Sequence, residues 1–201
     1  MNCKVWMLTV AVTAGLSACV GTPMDNRQSP SYLPSSGQQE TRITDATIAA
    51  DLGYIEKLQG RAAKLNANGQ PLQSYHLAKA QAWLDFALDE YQENDRSRII
   101  ENALAQAEVL VGALEQDSRQ INPNTPIIGG SSKLREDLWA KAMRAKEHAN
   151  FGCAAQKVAQ LEVQLVWAGH EYAESGWRHA SPYIHIAEDL SGQIEKLLGG
   201  C

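Results

Sequence analysis

The sequence predicts an all-α fold, a bundle of about six helices joined as antiparallel hairpins. Three observations lead to this prediction. From Ile43 onward, apolar residues recur every three or four positions, which is the period of one face of a helix. Clusters of Asn, Gly, Ser and Pro interrupt that period at intervals suited to helices. No segment shows the alternation of apolar and polar residues that is typical of a half-buried strand.

Three helices are predicted in the first half of the helical region, and they cover Ile43 to Leu65, Tyr75 to Tyr91 and Arg98 to about Asp117. Thr44 or Asp45 can cap the first of them, because either side chain can accept a hydrogen bond from the first turn. The hairpin of the second and third helices loosely has the spacing of a tetratricopeptide-type hairpin. No second copy follows at a period of about 34 residues, so the prediction remains a plain bundle.

The second half is predicted to hold a loop and three helices, which cover Ser118 to Ser132, Lys133 to His148, Cys153 to Glu174 and Ser181 to Leu198. The loop is rich in Pro and Gly. Ser131 or Ser132 can cap the fourth helix. Pro182 marks the start of the sixth helix, because Pro is favoured in a first helical turn.

Composition and charge exclude several classes of protein. The 201 residues are 44% hydrophobic and 20% charged, which is ordinary for a folded globular chain and argues against gross disorder or many membrane spans. The formal net charge of -5 argues against a nucleic-acid partner, because a general nucleic-acid binder presents a basic face.

The first residues have the layout of a secretory signal: Lys4, then a short apolar run, then small residues. Within it, Leu16-Ser17-Ala18-Cys19 resembles the lipobox of bacterial lipoproteins. The resemblance implies a signal peptide over 1–18 and a Cys19 thiol that takes a diacylglycerol group. Val20, rather than Asp, then implies an outer-membrane lipoprotein that faces the periplasm. The alternative is an ordinary cleaved signal peptide.

Residues 19–42 combine the lipidated Cys with three Pro, several Ser and Gln and no apolar period. Such a composition predicts a flexible tether. The remaining residues, 43–201, are expected to form a helical periplasmic domain that the lipid anchor holds at the membrane.

The four cysteines divide by position. Cys3 leaves with the signal peptide and Cys19 carries lipid, so Cys153 and Cys201 remain in an oxidising compartment, where disulfides persist. We expect them to form a disulfide, which would close a loop of about 50 residues and stabilise the fold by roughly 4 kcal/mol in the chain-entropy model. The alternative is two free thiols.

No residue pattern indicates catalysis, and the sequence predicts no catalytic residue, no metal site and no cofactor. Residues 170–174 begin as His-Glu but lack the second His of a zinc protease motif. His185 and Glu188 have a spacing that can bind metal, yet no matching motif follows. Asp85 and Asp89-Glu90 are interpreted as a solvated helix face. Neither a nucleophile elbow nor a Gly-rich phosphate loop is present in the sequence.

One short segment concentrates side chains suited to binding, and its members are Trp177, Arg178, His179 and Tyr183. In one interpretation they staple the last hairpin, with Arg178 paired to Glu171 or Glu174. In the other, they contact a partner or ligand, because aromatic residues beside Arg are favoured interface anchors and can also stack on sugars.

Two stretches, Leu77 to Ser97 and Gly176 to Leu190, resemble the helical N-terminal region of some proteobacterial OmpA-family envelope proteins. The peptidoglycan-binding OmpA-like domain has no counterpart in this sequence, so peptidoglycan binding is not implied. The resemblance implies a non-catalytic interaction or structural module with an envelope protein as partner, an OmpA-family protein being the candidate. The alternative is binding of a cell-wall sugar or small ligand through Trp177 to Tyr183.

Overall fold

The computed structural model describes residues 44–95 and 97–201, which form six helices and no strand. The helices are α1 (Asp45–Ala67), α2 (Tyr75–Gln92), α3 (Ile99–Glu115), α4 (Glu136–Glu147), α5 (Phe151–Ser175) and α6 (Trp177–Gly200). The predicted all-α bundle is therefore confirmed. No helix in the described ranges is both long enough and apolar enough to span a bilayer. The predicted signal peptide, the lipidated Cys19 and the tether lie outside the described residues.

The N-cap of α1 is Thr44, one of the two residues predicted to cap it. The Thr44 side chain accepts a hydrogen bond from the backbone N–H of Thr47 at 3.1 Å, which satisfies a donor that the helix itself leaves without a partner. Farther along α1, the Arg61 guanidinium pairs with Glu108 at 2.6 Å and with Glu115 at 2.7 Å. Both carboxylates belong to α3, so these contacts join α1 to α3.

The α2–α3 hairpin is the centre of the first half of the bundle, and α1 packs against both of its helices. Tyr91, near the end of α2, donates a 3.0 Å hydrogen bond to the buried carboxylate of Asp51. The first turns of α1 therefore lie beside the last turns of α2. The apolar core of this half includes Ile55, Leu58, Leu77, Trp83, Leu84, Phe86, Ile99, Ile100, Leu104 and Val111.

α5 belongs to two apolar cores at once. Val163 and Val166 face the core of α1 to α3, whereas Leu161 and Leu165 face a second core shared with α4 and α6. α5 accordingly contacts α2, α4 and α6. A helix that is covered on opposite faces leaves little solvent-exposed surface for charged residues, so its polar positions need partners inside the protein.

α6 begins earlier than the sequence predicts. The prediction placed its start at Ser181-Pro182, but the helix runs from Trp177 to Gly200 with Pro182 inside it. Gly176 ends α5 at a positive φ of 74° and reverses the chain at once. A new helix can start directly after that turn, and the later Pro costs one backbone hydrogen bond without ending it.

α4 begins later than predicted, and neither Ser131 nor Ser132 caps it. Its N-cap is Arg135, which has a left-handed φ of 52°. Ser132 instead donates its backbone N–H to the carbonyl oxygen of Gly169 on α5 at 2.9 Å. The loop before α4 therefore packs against α5, and this contact determines where α4 can start.

Cys153 and Cys201 lie at disulfide distance, with their Cα atoms 6.4 Å apart. α5 and α6 run antiparallel, so the first turn of α5 meets the end of α6. Next to the pair, the Asn150 side chain donates a hydrogen bond to the carbonyl oxygen of Leu198 at 2.9 Å. The structure thus places the two cysteines within reach of the disulfide that the sequence predicts.

The close approach of the loop to α5 depends on Gly169, where an added Cβ would overlap the backbone carbonyl of Ser132. We expect Gly169→Ala to lower the free energy of unfolding by about 1–3 kcal/mol, because a backbone obstacle cannot move aside as a side chain can. Gly192→Ala is the matched control, since nothing lies within 4 Å of its added Cβ. In α6 that substitution should be neutral or stabilise by up to about 1 kcal/mol. Urea unfolding of both variants tests the pair, and equal effects would contradict the packing argument.

The cysteine pair, 48 positions apart, yields a second prediction. Cys201→Ser should lower the free energy of unfolding by up to about 4 kcal/mol relative to the oxidised protein. Alkylation without prior reduction, followed by intact-mass measurement, should add no alkyl group at Cys153 or Cys201. The same treatment after reduction should add one to each. Alkylation of both thiols in the unreduced mature protein would contradict the disulfide.

Candidate functional site

The interface between α2 and α5 carries buried polar groups at both ends and aromatic rings between them. Lys79 faces Glu162 at one end, and Glu90 faces His170 at the other, so the two helices run in the same direction. Between the ends, the Phe86 ring stacks on Trp167 with centroids 4.9 Å apart. The rings therefore separate two buried polar clusters.

The cluster at the N-terminal end, the Glu162 network, consists of Tyr75, Lys79, Thr125, Lys146 and Glu162. One carboxylate oxygen of Glu162 lies 3.1 Å from Lys79 Nζ and accepts hydrogen bonds from the hydroxyls of Tyr75 and Thr125. The other lies 2.6 Å from Lys146 Nζ. Both oxygens of the carboxylate are thus satisfied, which is the arrangement a buried ion pair needs to be stable.

Burial and charged neighbours act in opposite directions on the pKa values of this network. It lowers the pKa of Lys79 to about 8, although the carboxylate of Glu162 acts in the opposite direction. Burial would raise the pKa of Glu162, but Lys79 and Lys146 together hold that pKa below its usual range. Each polar group of the Glu162 network has a hydrogen-bond or ionic partner within it. We therefore interpret this network as a structural element of the interface.

The cluster at the C-terminal end, the His170 cluster, consists of Glu90, Asp95, His170, Glu171 and Glu174. The Nε2 atom of His170 lies 3.3 Å from Asp95, 3.4 Å from Glu90 and 3.7 Å from Glu174, measured to a carboxylate oxygen in each case. His170 and Glu90 are each only 2% exposed, whereas the side chain of Glu174 is 44% exposed. The cluster therefore reaches from the interior to the surface along α5.

The ionisation of these groups reflects their crowding. Burial alone would lower the pKa of His170, but Asp95 and Glu90 outweigh it and raise the pKa to about 10. Burial, and then repulsion from Glu90, raises the pKa of Glu171 to about 7. The imidazolium thus compensates carboxylates that would otherwise repel one another inside the protein.

Two polar atoms of the His170 cluster are buried without a hydrogen bond, although ionic neighbours surround them. They are Oε1 of Glu90 and Nε2 of His170. Among the described residues, two triads offer ligand atoms that all lie within 4.8 Å of one another. One is Glu90, Asp95 and His170, and the other is Glu90, Glu93 and Glu171. These triads are the groups of described side chains whose ligand atoms lie that close together, and Glu174, 3.7 Å from Nε2 of His170, borders the first of them.

The sequence interpretation of Asp85 and Asp89-Glu90 as a solvated face is wrong for one member. Asp85 is exposed and Asp89 is half-buried, but Glu90 is buried against α5. Glu90 is on the side of α2 that α5 covers, so the face does not extend to it. His185 and Glu188, the other spacing noted in the sequence, lie 3.2 Å apart on the surface, where Arg135 also binds Glu188.

The structure brings the predicted binding residues together at the turn between α5 and α6, which we call the Trp177 corner: Trp177, Arg178, His179 and Tyr183. The first three are exposed, and Trp177 has 57% of its surface accessible. Tyr183 is half-buried and packs on Trp167 with ring centroids 4.9 Å apart. The corner therefore has a packed base and an exposed rim.

Two further contacts, at the exposed rim, join the corner to α5. Trp177 meets the ring of Tyr172 edge-on, with centroids 5.3 Å apart. His179 Nδ1 lies 3.9 Å from a carboxylate oxygen of Glu171. The sequence proposed Arg178 as the partner of Glu171 or Glu174, but in the structure it is His179 that reaches Glu171. The Trp177 corner and the His170 cluster thus adjoin one another.

Comparison with known proteins gives no family assignment: no protein-family model, curated protein or solved structure matches the chain.

The Glu162 network gives a prediction for stability and pH. Glu162→Gln should lower the free energy of unfolding by about 3–5 kcal/mol at pH 7, because it leaves Lys79 buried beside a neutral amide. The pKa of Glu162 is lower in the folded than in the unfolded state, so its ionisation stabilises the fold above an unfolded pKa of about 4.5. That contribution is lost as the pH falls through the folded pKa, and the wild type and variant should therefore converge below pH 4.5.

Glu195→Gln is the control for this prediction, since Glu195 forms a 2.7 Å pair with Lys141 while its side chain stays 62% exposed. Its removal should change stability little at any pH, because water screens exposed pairs. Urea unfolding at pH 7 and along an acid series measures both variants. Equal losses for the two substitutions would contradict the assignment of Glu162 as the buried centre of the network.

Proposed function

We propose that this chain is a non-catalytic envelope module that is anchored to the outer membrane by lipid on Cys19 and binds another envelope protein through the Trp177 corner. The observation that carries the binding surface is the exposure of Trp177, at 57% of its surface. Trp is the residue type most enriched in interface hot spots, and Arg, here Arg178, also belongs to the enriched set.

The local geometry supports a surface that is ready to bind. Gly176 sets the turn, the Tyr172 ring contacts the indole, and the Tyr183–Trp167 pair lies beneath. Side chains held by a helical hairpin lose less conformational freedom on binding than side chains on a loop. An exposed indole on such a scaffold is better suited to contact a partner than to pack within the bundle.

The sequence supports the location. Leu16-Ser17-Ala18-Cys19 resembles a lipobox, and residues 19–42 have the composition of a tether. The disulfide distance between Cys153 and Cys201 is in keeping with an oxidising compartment such as the periplasm. The resemblance to the helical region of OmpA-family proteins favours a partner from the same envelope.

A second candidate function is binding of a cell-wall sugar or small ligand at the same corner. The exposed indole also favours this possibility, because an accessible aromatic face can stack on a sugar ring. The two functions use the same residue but differ in the chemistry of the partner, so one set of variants can distinguish them.

In-cell photo-crosslinking tests the first function. A photoreactive residue at position 178 of the full-length lipidated protein should give a discrete adduct with one envelope protein, and Trp177→Ala should abolish that adduct. In the same cells, Cys19→Ala should move the protein from the membrane fraction to the soluble fraction. The loss of the adduct reflects the hot-spot role of the indole, whereas the change of fraction reflects the lipid anchor.

The matched control is a photoreactive residue at position 109, since Val109 is a 65% exposed apolar residue on α3. Val109→Ala in the chain with the photoreactive residue at position 178 is the control truncation and should leave the adduct in place. Position 109 should give no such adduct. Identical adducts from both positions, or none from position 178, would contradict the proposal. Sedimentation with purified sacculi that Trp177→Ala abolishes, without any protein adduct, would favour the sugar-binding function instead.

A further inference from the structure

We propose that the His170 cluster is a binding site for one divalent transition-metal ion of the zinc type, held by Glu90, Asp95, His170 and Glu174. This site adjoins the Trp177 corner but shares no residue with it. Its donors come from the end of α2, the segment after it and the last turns of α5. A bound ion would therefore join the two halves of the bundle at the interface on which both depend.

The distances in the cluster are too long for good hydrogen bonds but are suited to a coordination sphere. His170 Nε2 lies 3.3 Å from Asp95 and 3.4 Å from Glu90, in contacts that make no hydrogen bond to that nitrogen. In a tetrahedral site with bonds of about 2.0–2.1 Å, neighbouring ligand atoms are separated by about 3.3–3.4 Å. The separations of His170 from Asp95 and from Glu90 thus match the separation that a common ion would impose.

The buried atoms without hydrogen bonds give the second, independent reason. Glu90 is 2% exposed, and its Oε1 has no hydrogen-bond partner, although a buried carboxylate normally has several. His170 is equally buried, and its Nε2 also lacks a hydrogen bond. Polar atoms in this state are expensive to keep in the interior. A divalent cation would take the place of the proton on His170, compensate the carboxylate of Glu90 and accept the lone pair of the neutral imidazole.

The surrounding contacts would fix and admit the ion. Asp95 is oriented by Ser97, whose backbone N–H and hydroxyl each donate a 2.6 Å hydrogen bond to its carboxylate. Such outer contacts commonly hold metal ligands in place. Glu174 follows His170 by one helical turn, and its exposed side chain connects the cluster to solvent. It can both supply a fourth donor and provide the route by which the ion enters.

The donor types select the class of ion. One imidazole nitrogen with carboxylate oxygens suits Zn²⁺, Mn²⁺ or Fe²⁺, whereas Mg²⁺ and Ca²⁺ prefer shells made only of oxygen. Affinity among these transition ions increases toward zinc. Zn²⁺ is accordingly the probe ion, and Mg²⁺ is the ion that should fail to compete with it.

Isothermal titration of the chelator-treated full-length protein with Zn²⁺ at pH 8 tests the site, since protons compete with metal ions less strongly there. We expect one Zn²⁺ per chain. His170→Gln should weaken binding by more than the roughly 10- to 100-fold that loss of an outer-shell partner causes. Glu174→Gln, at an exposed position, should weaken it by about tenfold and serves as the second variant.

His185→Gln is the matched control, because His185 also faces a glutamate, Glu188, but on the open surface. Its Zn²⁺ affinity should equal that of the wild type. NMR of the imidazole nitrogens should show that Zn²⁺ shifts the signals of His170 and leaves those of His185 in place. Absence of stoichiometric binding, unchanged affinity in both His170→Gln and Glu174→Gln, or equal competition by Mg²⁺ would overturn the proposal.

Discussion

The structure depends on one constraint, the burial of α5 on opposite faces. α5 completes the core of α1 to α3 with Val163 and Val166 and the core of α4 and α6 with Leu161 and Leu165. Glu162 and His170 are buried in the same helix, so each needs partners from a neighbouring element. α2 supplies those partners at both ends of the interface. Because apolar surface alone would tolerate sliding of one helix along the other, the two polar clusters are what define the relative position of the two halves.

The spacing of the two clusters along each helix restricts the position of α2 relative to α5. Glu162 and His170 are eight residues apart on α5, about 12 Å along the axis, whereas Lys79 and Glu90 are eleven apart on α2, about 16 Å. The long side chains absorb the difference, and the ring pair of Phe86 and Trp167 fills the space between. A slip by one turn would separate Lys79 from Glu162 and leave both buried without partners, at a cost of several kcal/mol. The buried charges therefore stabilise one position of α2 along α5 relative to positions that are shifted by a turn.

The sequence was sufficient for the fold class and for most helix positions, because apolar period and capping residues are local properties. It failed at the starts of α4 and α6, where a loop contact at Gly169 and the turn at Gly176 outweigh Ser and Pro signals. The Trp177 corner could be predicted because its members lie within seven positions of the sequence. The His170 cluster could not, since Glu90 and His170 meet only through packing of α2 on α5. One feature of the sequence does point to buried polar groups on α5. Positions spaced by four lie on the same face of a helix, and on one such face ionisable residues alternate with apolar ones: Val158, Glu162, Val166 and His170.

The position of the Trp177 corner also bears on which partner it can reach. Asp51 on α1 contacts Tyr91 at the end of α2, and the neighbouring Glu90 contacts His170 near the end of α5. The start of α1, the His170 cluster and the Trp177 corner therefore lie at the same end of the bundle, whereas Cys153 and Cys201 mark the other end of the α5–α6 hairpin. The proposed tether joins at that first end, and about 20 residues of flexible chain extend roughly 25 Å on average. With the proposed lipid anchor on Cys19, the corner would be confined to the vicinity of the membrane surface. That geometry favours a partner that is itself held at the membrane, and it makes a distant sugar polymer the less accessible target.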